Sequence, residues 1–112
     1  MHNFKELTVW QKARKLNKSV YTLSDKLPAD EKFGLTSQIR RSSVSISSNI
    51  AEGSSRASDK DFGRFLRIAI GSSFELETQL ILSSDLNLLN EEEVDQLILE
   101  INEVQKMLYK SD

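Results

Sequence analysis

Residues 38–53, QIRRSSVSISSNIAEG, place five serines among the seven residues Ser42–Ser48, directly after the adjacent pair Arg40 and Arg41. Serine-rich runs often read as linkers, because short hydroxyl side chains hydrogen-bond nearby backbone and compete with regular structure. The apolar residues argue otherwise. Leu35, Ile39, Ile46 and Ile50, with Ser42 or Ser43 between them, keep the alternating four-and-three spacing of a packed helix. No proline interrupts the stretch, Gly34 stands near its start, and Gly53 occupies the place of a helix C-terminal cap. The segment therefore reads as a helix over about 30–52. Its small residues allow neighbouring backbones to approach, and each serine hydroxyl can bond the carbonyl four residues back.

The same period recurs on both sides. Val9, Ala13, Leu16, Val20, Leu23 and Leu27 predict a helix over about 9–26, with Thr8 and Gln11 at capping-box spacing and Pro28 ending it. Ser58 and Asp61 announce a helix over about 59–86, with Phe62, Leu66, Ala69, Ser73, Leu76 and Leu80 on one stripe. Phe65, Ile68 and Phe74 widen that face enough for two neighbours. Asn90, followed by Glu91, Glu92 and Glu93 at the positive end of the helix dipole, opens a helix over about 91–109 that carries Val94, Leu97, Ile101, Val104 and Leu108. Short connections make sequential helices antiparallel neighbours. The predicted fold is all-α, an antiparallel up-and-down four-helix bundle formed by a single domain over 1–112.

Composition agrees. The chain has 112 residues, 38% hydrophobic and 29% charged, and no cysteine, which excludes thiol catalysis, thiolate metal sites and disulfides. The start, MHNFKELTVW, lacks the apolar core of a signal peptide, and no stretch approaches the ~20 apolar residues of a membrane span, so a cytoplasmic location and no membrane partner are expected. The net charge of -2 conceals a gradient: residues 1–27 carry six basic and two acidic side chains, residues 87–112 two basic and seven acidic. Such segments attract one another within or between subunits, or else the basic one offers a surface to a polyanion.

Three blocks, LTVWQKARKL, FGLTSQIRRSSVSISSNIAEG and FLRIAIGSSFELETQL, resemble the small bacterial 23S rRNA intervening-sequence proteins, over about Phe4 to Tyr109. The resemblance implies antiparallel four-helix protomers assembled into a homo-oligomer, a pentameric ring or barrel. A related branch, the accessory variability determinants of diversity-generating retroelements, binds nucleic acid and a reverse transcriptase. The family pattern has proline where this chain has Ser47 and alanines at Ser42 and Ser43, which implies a straighter or differently bent second helix here.

Candidate functional residues fall into three sets. Arg40 and Arg41 point about 100° apart on a helix. They are read first as structural ion pairs with Glu75 and Glu77, and second as phosphate contacts. Arg56, Lys60, Arg64 and Arg67 form a stripe at the start of the third helix and, with Lys12, Arg14, Lys15 and Lys18, offer a positive surface for RNA or DNA, set against an ordinary solvated face. Trp10, Phe33, Phe62, Phe65, Phe74 and Tyr109 are assigned to core or subunit contacts rather than to base stacking, Trp10 at a subunit boundary. Catalysis is not expected. The only histidine is His2, Glu-x-x-His does not occur, and Gly53 is followed by SSRAS rather than a phosphate loop. Glu52, Glu75 and Glu77 can in principle hold Mg²⁺, but beside arginines they read as ion pairs, so no cofactor or metal is expected. Two functions remain: a non-enzymatic homo-oligomer that binds structured RNA or another nucleic acid through basic helix faces, or a scaffold or adaptor for a protein partner.

Overall fold

A computed structural model describes residues 2–112. Four helices account for most of it: α1 (Thr8–Ser24), α2 (Leu35–Ser54), α3 (Asp59–Asp85) and α4 (Glu91–Ser111), with single 3₁₀ turns at Phe4–Glu6 and Ala29–Glu31. Each helix packs on its sequence neighbours, and α1 closes the ring against α4, which leaves α1 and α3 diagonally opposed. Neighbours run antiparallel. Lys26, just beyond α1, reaches Glu93 at the start of α4, whereas Lys12 reaches Glu103 further along at 3.5 Å. This is the expected up-and-down bundle, 44 × 24 × 19 Å. Among the described residues, no helix is long and apolar enough to cross a membrane.

The helical stripes converge on one core. All six predicted α1-stripe residues, Val9 to Leu27, are buried, as are the five on α4. From α2 come Ile39, Ile46 and Ile50, and from α3 Leu66, Ala69, Leu76 and Leu80, while Leu35 and Phe62 are only partly covered. Ser42 and Ser43 occupy the missing turn of the α2 stripe and are buried too. A buried hydroxyl left without a partner costs about 1–3 kcal/mol. Here the partners lie on other helices: Ser43 Oγ donates to Asn17 Oδ1 of α1 at 2.8 Å, and Ser42 Oγ to Gln79 Oε1 of α3 at 3.0 Å. Ser45 and Ser72 share a hydrogen bond of 2.8 Å across the same seam. The expected bonding to carbonyls four residues back is thus replaced, at Ser42, Ser43 and Ser45, by bonds between helices. α2 runs unbroken through Ser47, whose hydroxyl turns back to the Val44 carbonyl at 3.3 Å.

The helix ends differ from the sequence reading in instructive ways. No capping box forms at Thr8, which is already helical behind Leu7; Gln11 Nε2 instead donates to the Lys5 carbonyl at 2.9 Å, because the 3₁₀ turn Phe4–Glu6, capped by Asn3, occupies the approach. α1 gives way after Ser24 to turns in which Lys26 and Leu27 donate to Leu23 and Ser24. α2 begins at Leu35 rather than near 30. Residues Ala29–Glu31 form a separate turn, and the Glu31 carboxylate accepts from the Leu35 N–H at 3.2 Å. The caps at Ser58 and Asn90 form as expected, accepting from Asp61 and Glu93. α3 ends in a Schellman motif, with Asn87 at φ 59°, Asn87 N–H on the Ser84 carbonyl and Leu88 N–H on that of Ser83.

Gly53 is not a C-terminal cap. It lies inside α2, buried, and a Cβ there would meet Phe65 Cβ at 2.7 Å and Phe62 Cδ1 at 2.9 Å. Glycine is needed for proximity: the α2 backbone lies directly on α3. Overpacking a tight contact costs about 1–3 kcal/mol, and valine recovers only a few tenths through helix preference. Gly53→Val is therefore expected to lower unfolding free energy by about 2 kcal/mol in urea denaturation followed by circular dichroism; parental stability would show that the seam can open without cost.

Candidate nucleic-acid interface

With Val9, Ala13, Leu16, Val20 and Leu23 committed to the core, the helical repeat directs Arg14, Lys15 and Lys18 outward, and all three are exposed. The segment before α1 adds to them. Asn3 Oδ1 accepts from the Lys5 N–H at 3.2 Å, the His2 N–H donates to the Ser54 carbonyl at 2.9 Å, and Phe4 sets its ring edge-on to Trp10 at 5.0 Å. The Arg14 guanidinium lies 5.6 Å from the centre of the Trp10 ring. The result is an open groove of about 930 Å³ lined by Phe4, Lys5, Trp10, Gln11, Arg14, Lys15 and Lys18: four cations, two aromatic rings and no carboxylate. Lys12, the fourth predicted contact on α1, turns away to Glu103.

The second predicted set behaves differently. Arg56 and Arg64 both stack on Phe65, at 4.7 and 5.3 Å from its ring centre. Arg56 also reaches Glu52 at 3.4 Å, and its Nε is buried without a hydrogen-bond partner. Arg67 pairs with Asp112 at 2.9 Å, so only Lys60 and Arg64 of this set are without an ion pair among the described residues. Its positive charge is largely spent on the protein's own groups. α3 is diagonal to α1, and none of this second set lines the α1 groove.

Arg40 and Arg41 part company, as their angular separation requires. Arg40 turns to α1, not α3: Nε donates to Ser24 Oγ at 2.9 Å, Nη2 to Asp25 Oδ1 at 2.9 Å, and the guanidinium covers Tyr21 at 4.5 Å from the ring centre. Glu77 faces α4, where it accepts from Gln105 Nε2 at 2.9 Å. The expected pairing of the arginines with Glu75 and Glu77 therefore does not occur. Glu75 and Glu77 lie about 200° apart on α3, which prevents both from facing α2. Arg41 and Glu75 are exposed and line one polar cleft between α2 and α3, with Gln38, Ser42, Ser45, Ser72 and Gln79, but are not ion-paired. Among the described residues, no group of three or more His, Asp or Glu side chains converges in a way that could hold a metal ion.

Aromatic and apolar residues also divide. Phe65 is buried, as expected of a core residue, but Phe33 is 90% exposed, and Tyr109 and Phe74 are 60% and 47% exposed. The wide face of α3 is explained accordingly. Its two neighbours are α2 and α4, and Phe65 turns inward, while Ile68, Phe74, Ile81 and Leu82 lie outside those contacts and remain between 43% and 47% exposed. Periodicity gave no sign of Phe4 and Lys5 in the groove, because a single 3₁₀ turn is too short to show one.

A family model described as 23S rRNA-intervening sequence protein matches residues 5–110. No curated protein matches the chain. Among solved structures, a protein of unknown function from the S23 ribosomal protein family of Bacteroides thetaiotaomicron superposes with a TM-score of 0.85, at 28% identity, over 92% of this chain and 96% of that one.

The geometry separates two adjacent arginines by consequence. Arg40→Ala removes the hydrogen bonds to Ser24 and Asp25 and the cover of Tyr21, and is expected to cost about 1–2 kcal/mol; Arg41→Ala should stay within about 0.5 kcal/mol of the parent. Paired urea titrations check this, and equal effects at the two positions would contradict the assigned contacts.

Proposed function

The chain belongs to the 23S rRNA-intervening sequence protein family, and from that premise we propose that it is a non-enzymatic, cytoplasmic homo-oligomer that binds structured RNA or another nucleic acid through α1. One observation carries the binding half of this reading: the α1 groove gathers Lys5, Arg14, Lys15 and Lys18 without a carboxylate, in a chain whose net charge is -2. Phosphate neutralisation requires only such point charges, and counterion release makes the affinity strongly salt-dependent. Lys60 and Arg64 are secondary contacts at most, since Arg56 and Arg67 are engaged in ion pairs.

The outer face of α3 supports self-association. Ile68 and Phe74 are half-exposed on either side of Gly71, where an added Cβ would meet nothing within 4 Å, and Ile81 and Leu82 continue the same face further along α3. A mid-helix glycine costs about 1 kcal/mol relative to alanine, and no contact within the chain offsets it. Close approach of a second copy would. The resemblance to ring-forming relatives implies a pentamer. A second reading, a scaffold for a protein partner without nucleic acid, is favoured by the acidic α4, which repels a polyanion.

Two measurements test the proposal. Light scattering after size-exclusion chromatography should give a multiple of the 12.8 kDa protomer at micromolar concentration, falling toward one protomer with Phe74→Glu; a monomeric parent would defeat the oligomer. Fluorescence anisotropy with a labelled RNA hairpin should show affinity that falls as salt rises from about 50 to 200 mM. The double variant Lys15→Glu/Lys18→Glu should bind at least about tenfold more weakly at the lower salt. Absence of binding even there would leave the scaffold reading.

A further inference from the structure

We propose that Phe33 and Tyr21, with Lys32 and Arg41, form a base-stacking platform for an unstacked, single-stranded stretch of nucleic acid that continues from the α1 groove; the proposal rests on the nucleic-acid reading above and specifies its ligand. The platform is a groove of about 560 Å³ between α1 and α2, lined by Tyr21, Lys32, Phe33, Thr36, Ser37, Arg40, Arg41, Val44 and Ser45. Its lining holds three cations and no carboxylate. Of the nearby acids, Asp25 is bonded to Arg40, the Glu31 carboxylate accepts from the Leu35 N–H, Asp30 does not line the groove, and Glu75 lies in the adjoining α2–α3 cleft without pairing to Arg41. With Arg40 neutralised by Asp25, Lys32 and Arg41 supply the free positive charge, since neither is ion-paired among the described residues.

An isolated exposed apolar residue needs no explanation. Phe33 is not isolated. It is 90% exposed in the connection between α1 and α2, its neighbour Lys32 lies 5.4 Å from the ring centre, and Tyr21 and Val44 are also part-exposed in the same groove. Arg40 stacks on Tyr21 at 4.5 Å, so a cation already covers part of that ring, as in stacked cation, aromatic and base arrangements. Flat aromatic faces bind bases whatever their identity, but only bases that are out of a duplex.

The two grooves also align. Trp10 and Tyr21 are eleven residues apart, close to three full turns, so they share one face of α1, with Arg14 between them one turn beyond Trp10. The rings lie about 16 Å apart along the axis at 1.5 Å per residue. Phe4 and Trp10 at one end and Tyr21 and Phe33 at the other thus bracket Arg14 and Lys18, the alternation of rings and cations that a single strand requires.

The test compares the full chain with Phe33→Ala, Phe33→Tyr and Lys15→Glu/Lys18→Glu, using labelled single-stranded RNA and DNA and a duplex of the same length at low salt. Phe33→Ala should weaken single-strand binding about 5- to 150-fold, the equivalent of one stacked base at 1–3 kcal/mol, and leave duplex binding and thermal stability unchanged. Phe33→Tyr should retain binding, because the ring is kept. If Phe33→Ala binds single strands as the parent does while the lysine variant loses binding, the platform is wrong and the α1 interface stands. Equal losses on single strand and duplex would also overturn it. If the parent binds no nucleic acid, both readings fail together, and exposed Phe33 becomes a contact for a protein.

Discussion

The close contact between α2 and α3 governs the rest of the molecule. Gly53 lets the α2 backbone rest on Phe65, and further along the seam Ser45 meets Ser72 while Ser42 meets Gln79. Larger side chains at these positions would push the helices apart, and apolar ones would strand the polar groups opposite. With α2 held this close to α3, Ile39, Ile46 and Ile50 reach the common core although serines occupy the turn between them. The register of α2 also decides the fate of its arginines: the seam takes the Ser42 and Ser45 flank, so Arg40 falls on the α1 side and Arg41 at the rim.

Topology then sorts the charges. An up-and-down bundle seats α4 beside α1, and the acidic helix takes up Lys12 and Lys26 through Glu103 and Glu93. Exposed pairs of this kind add little stability, with a median of about 0–1 kcal/mol each. Their larger effect is directional. They draw positive charge to one flank of α1 and leave Arg14, Lys15 and Lys18 on another, where Phe4 and Lys5 join them. The charge gradient along the chain therefore supports both readings it suggested: part is consumed within the bundle, and part remains as a cationic groove.

The fold was largely legible because burial imposes the helical period directly on sequence, and even the serine run obeyed it. Helix ends were less legible. Asn90 and Ser58 declared themselves, since a cap is a local hydrogen bond, but the caps near Thr8 and Leu35 depend on turns at Phe4–Glu6 and Ala29–Glu31 that carry no period. Gly53 was misread because glycine has two uses, left-handed backbone and close approach, and only the position of Phe65 decides between them. The arginine partners were illegible for a related reason. Periodicity fixes which flank of α2 a residue occupies, but not which neighbouring helix lies on that flank. The α1 groove was half legible: its lysines and Arg14 follow from the outward face, whereas Phe4, Lys5 and the role of Trp10 depend on how the preceding turn folds back.

Gly53 and Gly71 show how physical accounting separates internal architecture from outward function. Both weaken their helices relative to alanine by about 1 kcal/mol. At Gly53 the contact with Phe62 and Phe65 accounts for the loss within the chain. At Gly71 nothing does, and the half-exposed Ile68 and Phe74 on either side of it, with Ile81 and Leu82 further along α3, compound the deficit. The same asymmetry holds for aromatic rings: Phe65 is buried beneath two arginines, whereas Phe33 forgoes about 1.5–3 kcal/mol of burial and stands beside free cations. Features that cost stability and receive no compensation inside the protomer are the ones that the proposed contacts with a second copy and with nucleic acid would offset. They fall on two surfaces of different chemistry. The α3 face sets Ile68, Phe74, Ile81 and Leu82 among Arg64, Arg67 and Glu75, with a gap at Gly71 for a backbone, suited to a rigid helical neighbour, and the α1–α2 face alternates rings with positive charge, suited to a flexible polyanion. Because α3 is diagonal to α1, the α1 side of the second surface is remote from the first, whereas its α2 side borders the α2–α3 cleft that Arg41 and Ser45 also line.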